Sequence, residues 1–138
     1  MPSTSPSPEN PASSEPSAYL PHRNPFLFLD RVLSREPGVA ATGIKCVTNE
    51  PGGYSQVFLL ESMAQLGGIA AAAREGEGGF LAAVERAEFF RSVGPGDRIL
   101  VTVRIVKSFG RLFLMEGDAS VEGERVASAA LTLGVGML

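Results

Sequence analysis

Residues 57–74, VFLLESMAQLGGIAAAAR, are the one long helical candidate in the chain. Ala, Leu, Met, Glu and Gln dominate the segment, and all are strong helix formers. It is apolar on nearly every side, which marks a helix enclosed by protein rather than laid on a surface. Glu61, Ser62 and Gln65 interrupt the apolar run, which is too short and too polar for a membrane span. Gly67 and Gly68 would each weaken an isolated helix by roughly 1 kcal/mol. In a packed protein the same pair lets a second backbone come close.

The rest of the chain reads as strand and turn. RILVTVRIVKSF (98–109) alternates, with Ile99, Val101, Val103 and Ile105 on one face and Arg98, Thr102 and Arg104 on the other. RLFLMEGDASVE (111–122) and ERVASAALTLGV (124–135) form a hairpin through Glu122-Gly123-Glu124. Before them, GFLAAVERAEFFRSV (79–93) is a strand bent or bulged near Arg86, closed by the turn GPGD (94–97). The helix is predicted to stop before Gly76, in the REGEGG turn. Upstream, VAATGIKCVT (39–48) and a segment from about Phe26 are two further strands, divided by the Pro37-Gly38 turn. One helix followed and preceded by antiparallel strands is an α+β arrangement. A sheet covers only part of an all-round apolar helix, so a second subunit is expected to cover the remainder.

The length of 138 residues suits one folded domain, expected over 19–138. Residues 1–18 hold five prolines, six serines and no apolar stretch. They are read as a disordered tail and not as a signal peptide. The net charge of −3, with Lys and Arg scattered, excludes the basic footprint of a nucleic-acid binder. Cys46 is the single cysteine and His22 the single histidine, so no disulfide, metal site or cofactor is expected. Cys46 is read as a small buried hydrophobe, and a reducing cytoplasm is the expected setting.

Four stretches, in order, carry a family resemblance: LPHRNPFLFLDRV (20–32), NEP (49–51), LLESMAQLGG (59–68) and VGPGDRILVTVRIVKSFGRLFLMEGDASVEGERVASAALTLGV (93–135). Together they resemble the 3-hydroxyacyl-acyl-carrier-protein dehydratases of fatty-acid biosynthesis (FabZ/FabA-like). The resemblance implies a hotdog fold, an antiparallel sheet of five to six strands wrapped around one long central helix. It implies an acyl-carrier-protein- or coenzyme-A-linked acyl thioester as substrate. It also implies a homodimer or a heterodimer with another hotdog dehydratase, with a hexameric trimer of dimers as the larger form. The family pattern fails at one place. Members carry a loop, His-Phe-Pro-Gly-x-Pro-x-x-Pro-Gly, between NEP and the helix, and its histidine is the usual catalytic base. Here GGYSQVFLL (52–60) stands in its place, without histidine, and Gln56 occupies the position of the glycine that usually begins the helix. This pattern is similar to the dehydratase-like proteins of aryl-polyene pathways, which also lack the loop.

Dehydration of a 3-hydroxyacyl thioester needs a base at C2, an acid for the departing C3 hydroxyl, and stabilisation of charge on the thioester oxygen. The helix N-terminus near Tyr54–Phe58 can supply the third through free backbone N–H groups. Glu61 is the leading candidate for the acid, since it resembles the helix-borne acid that holds the leaving hydroxyl or water. Ionised among Phe58, Leu59, Leu60, Met63 and Leu66, it is costly unless partnered; protonated, it suits a general acid. Gln65, four residues on, shares its helix face and could orient it. His22 is the one imidazole available as base. Arg23 and Asp30 read as anchors of the 20–32 segment through charge-assisted hydrogen bonds. Tyr54, Ser55 and Phe58, in or beside the shortened loop, are candidate substrate contacts. A partner subunit that binds acyl thioesters without catalysing, and a hotdog thioesterase, are the alternative readings.

Overall fold

The computed structural model describes residues 15–16, 29–48, 54–72 and 77–137. Six strands form one antiparallel sheet: β1 (Arg31–Glu36), β2 (Ala40–Cys46), β3 (Glu77–Phe89), β4 (Arg98–Phe109), β5 (Leu112–Val121) and β6 (Glu124–Met137), with one helix, α1 (Gln56–Ala71), between β2 and β3. The spatial order is β1-β2-β4-β5-β6-β3. The connection through α1 therefore carries the chain from beside one edge of the sheet to the opposite edge. The helix crosses the inner face on the way and touches every strand. This is the wrapped-helix α+β architecture that the resemblance implies.

Strand patterning places the core. Ile99, Val101 and Val103 point inward and are fully buried, and Ile105 packs against them. They face Leu59, Met63, Leu66 and Ile69 of the helix, and Met115, Leu131 and Leu133 complete the layer. Each such side chain contributes about 1.5–3 kcal/mol on burial. The β5–β6 hairpin turns on two residues, Glu122 and Gly123, both at positive φ (51° and 80°). Two left-handed residues match the strand twist, and Gly123 adopts that conformation without strain. β3 carries two register shifts, one beside Arg86, where the bend was expected.

The glycine pair in the helix does what close approach requires. A Cβ on Gly68 would lie 3.0 Å from the backbone nitrogen of Gly79 on β3, and one on Gly79 would lie 2.8 Å from the Gly68 Cα. Helix and strand meet backbone to backbone at this point.

Several expectations need correction. The helix ends at Ala71 rather than at 74, and β3 begins at Glu77, inside the stretch read as a turn. The last helical carbonyls are taken by other elements. Arg35 donates from Nε to Ile69 O and from Nη2 to Ala72 O, each at 2.7 Å, and Gly38 N donates to Ala70 O at 2.7 Å. Cys46 is exposed, not buried. In β2 the odd positions Ala41 and Gly43 point inward, so the even position 46 points out and Val47 is the residue that returns to the core. Within one chain Ser62 through Ala71 are all buried, whereas Val57 is exposed and Phe58, Leu60 and Glu61 are half-buried, so the part of the helix this chain leaves uncovered is its start. Exposed apolar side chains are spread over the sheet, at Phe80, Val84 and Phe90 on and just beyond the edge strand β3 and also at Leu33, Leu100, Val106, Phe109 and Leu112. Of the stretch read as tail only Glu15, exposed, and Pro16, buried, are among the described residues, and the reading of 1–18 otherwise lies outside them. Among the described residues no helix is long and apolar enough to cross a membrane.

Candidate functional site

The site is built on the first two turns of α1. Ser55 precedes the helix with extended backbone (φ −74°, ψ 161°), and its side chain makes no capping hydrogen bond. No acidic residue occupies the first turn. Gln56 and Val57 are exposed, so this helix end opens toward the surface. Phe58 is half-buried.

Glu61 lies one turn further in and is half-buried. Gln65, only 1% exposed, donates from Nε2 to Glu61 Oε1 at 3.5 Å. The spacing of four residues puts the pair on one helix face, as the sequence indicates. An amide that is buried and aimed at a more open carboxylate restrains the acid on one oxygen. The carboxylate is left partly open to the surface.

Tyr54 and Ser62 form a second polar group beside it. The Tyr54 hydroxyl lies 2.7 Å from Ser62 Oγ, and Ser62 Oγ donates to Phe58 O at 3.0 Å. The Tyr54 hydroxyl also lies 3.4 Å from Phe58 O, so the two hydroxyls share that carbonyl, and either can donate to the other. The Tyr54 ring meets Phe58 edge-on, with centroids 5.4 Å apart. Lys45 Nζ stands 5.9 Å from the centre of the Tyr54 ring. The lysine pairs in turn with Asp30 Oδ1 at 3.6 Å, while Asp30 Oδ2 accepts the backbone N–H of Cys46 at 2.6 Å. Asp30 thus anchors its segment to β2, as read from the sequence.

The structure therefore brings Glu61 and Gln65 together, and Tyr54 with Phe58. It leaves Ser55 exposed at the helix start, where its carbonyl accepts from Phe58 N at 3.0 Å but its side chain makes no capping hydrogen bond. His22 and Arg23 lie outside the described residues, as does the NEP stretch. Sequence reasoning missed Ser62 and Lys45. Lys45 was legible, because Ala41, Gly43 and Lys45 share the inward parity of β2, and its side chain is 13% exposed. Ser62 was visible only as a polar break in the apolar run, because its pairing with Tyr54, eight residues away in a non-helical segment, leaves no local pattern. Among the described residues no cluster of His, Cys, Asp and Glu could hold a metal ion.

A cavity of about 290 Å³ opens at the other end of the helix, lined by Ala71, Glu77, Gly110, Arg111, Phe113 and Val135. Ten residues along the helix from Glu61, it is roughly 15 Å away. The buried Glu77 carboxylate meets Arg111 there at 3.5 Å.

Residues 53–130 match the FabA-like domain. The 3-hydroxyacyl-[acyl-carrier-protein] dehydratase FabZ of Syntrophotalea carbinolica is 41% identical over 81% of this chain and 86% of its own length. Among solved structures, the dehydratase heterocomplex ApeI:P from Xenorhabdus doucetiae superposes with a TM-score of 0.71 at 18% identity, covering 87% of this chain and 90% of that one. A hypothetical thioesterase from Streptococcus pneumoniae, solved with coenzyme A, superposes with a TM-score of 0.64 at 15% identity, covering 77% and 84%. At these identities the two structures speak for the fold.

Proposed function

This chain belongs to the FabA-like family, that of the 3-hydroxyacyl-acyl-carrier-protein dehydratases, and on that premise we propose how a hotdog domain without the family's histidine loop carries out dehydratase chemistry. The reaction removes water from a 3-hydroxyacyl thioester to give the trans-2-enoyl thioester. The observation that carries the reading is the Glu61–Gln65 pair: a half-open carboxylate held by a buried amide on a helix otherwise enclosed.

In this reading Glu61 holds the C3 hydroxyl and gives it the proton with which it leaves as water. Gln65 keeps the carboxyl turned toward that hydroxyl. Charge on the thioester oxygen is met by the N–H groups of the first turn of α1, where the helix dipole favours an anion and no acidic side chain competes. The C2 proton needs a base. His22, the single histidine of the chain, is the proposed base within this sequence. Phe58 and Tyr54 form the apolar wall at the helix entrance. The acyl group is carried on acyl-carrier protein or coenzyme A, and the proposed setting is the cytoplasm.

The assembly follows from the edge of the sheet. β3 has thirteen residues and a free edge with Phe80 and Val84 exposed. A long edge strand is a template for another strand through its backbone N–H and C=O groups. We infer a hotdog dimer across β3, as a homodimer or with a second dehydratase. A partner role is a second reading, in which a complete subunit supplies the base and this chain supplies Glu61. The neighbour solved as a dehydratase heterocomplex favours keeping it.

Hydration of a trans-2-enoyl thioester, followed with free-thiol release, tests these readings. Hydration by the chain alone supports His22 as base. Hydration seen only after mixing with a second dehydratase supports the composite site. Thiol release without hydration would replace both with a thioesterase.

A further inference from the structure

We propose that Tyr54 is a positioning residue for the Glu61 turn, acting through the buried hydroxyl of Ser62. The inference rests on the dehydratase reading for its kinetic consequence, but its geometry stands independently. The start of α1 lacks the usual restraints, since Ser55 makes no side-chain cap and the first turn has no acid. What holds this end is lateral. The Tyr54 hydroxyl reaches forward to Ser62 Oγ at 2.7 Å, and both hydroxyls also lie against the same carbonyl, Phe58 O, at 3.4 and 3.0 Å.

That carbonyl is one turn before Ser62, and a serine that bonds back to it locally bends the helix. Ser62 is 0% exposed and follows Glu61 directly, so any shift of the serine is passed to the carboxylate through one peptide unit. The phenol ring is itself held on two sides. Phe58 meets its edge, and Lys45, paired with Asp30, stands over its face. The run Asp30–Lys45–Tyr54–Ser62 thus ties β2 to the helical turn that bears the acid. In a chain whose loop before the helix is short, this latch sets the direction in which Glu61 projects.

Tyr54→Phe tests it, because it keeps the ring and its packing and removes only the hydroxyl. Hydration of crotonyl-coenzyme A is measured with the full chain, alone and mixed with a second dehydratase, alongside backbone hydrogen exchange over residues 56–62. The expected result is a kcat lowered roughly tenfold with KM within about twofold, as for a misplaced acid. Exchange at the Glu61 turn should quicken at the same time. Ser62→Ala, which also removes the bond to Phe58 O, should show both effects at least as strongly, and adding Tyr54→Phe to it should cost little more, since the bond the two hydroxyls share is already gone. An unchanged kcat, a change confined to KM, additive losses, or unaltered exchange would each overturn the latch. If the wild-type chain hydrates no enoyl thioester under either condition, the dehydratase reading fails instead, and exchange alone decides the latch.

Discussion

Arg35 offers the sharpest test of how the helix is held in the sheet. The last turn of α1 contains no basic residue of its own, yet its carbonyls are enclosed. Arg35, on β1, donates to Ile69 O and Ala72 O, both at 2.7 Å, and is part-buried. A hydrogen bond from a charged donor contributes about 1.5–3 kcal/mol, and a cation at a helix C-terminus adds about 0.3–1 kcal/mol. Arg35→Met keeps the length of the stem and removes both bonds. Taking the low end for each bond, it should cost about 3 kcal/mol. For a domain of this size that lowers Tm by roughly 12 °C, at about 4 °C per kcal/mol. Arg35→Lys keeps a charge at the helix end but has no fork to span two carbonyls, so it should lose about half as much. Urea and thermal unfolding at one fixed protein concentration measure both, since dimerisation would otherwise shift the midpoints. A Met variant within about 0.5 kcal/mol of wild type, or a Lys variant as damaged as Met, would refute the clamp.

Glu61→Gln should lower enoyl-thioester hydration by at least about a hundredfold if Glu61 is the proton donor, with Tm little changed because the site is half-open; full activity would remove Glu61 from the reaction. His22→Ala should abolish turnover by the chain alone if His22 is the base, and a folded, active variant would pass the base to another chain. Gly79→Ala should destabilise by about 2 kcal/mol through overpacking against the helix backbone. Gly68→Ala should cost less, because its helix propensity returns about 1 kcal/mol; urea midpoints with the order reversed would contradict the close approach. Native protein should release one equivalent of thionitrobenzoate from Ellman's reagent without denaturant, since Cys46 is exposed; a thiol that reacts only after unfolding would return it to the core.

Much of the architecture was readable because its signals are local. β4 runs over the residues the pattern indicates and alternates from Arg98 to Ile105. The Glu-Gly turn of the last hairpin and the bulge near Arg86 were equally plain. Glu61 and Gln65 stood out as polar groups four residues apart in an apolar helix, and the structure pairs them. Helix and strand ends were less legible. The helix was read three residues too long because Ala72 and Ala73 are good helix formers. Its stop is imposed by Arg35 and Gly38, more than thirty residues earlier in the chain.

The sequence by itself determined a single buried helix, the strands around it, an acid and its amide on one helix face, and a glycine pair that permits backbone contact. These depend on periods of two and 3.6 residues and on side-chain size, which neighbouring residues express together. Only the tertiary structure decided that Gly79 is the backbone Gly68 meets, that Arg35 closes the helix, that Cys46 faces out, and that Tyr54 reaches Ser62. Each of those is a choice of partner across the fold. Hydrogen-bonding groups pair with whatever the sheet order and register bring within about 3 Å, and no local pattern carries that information.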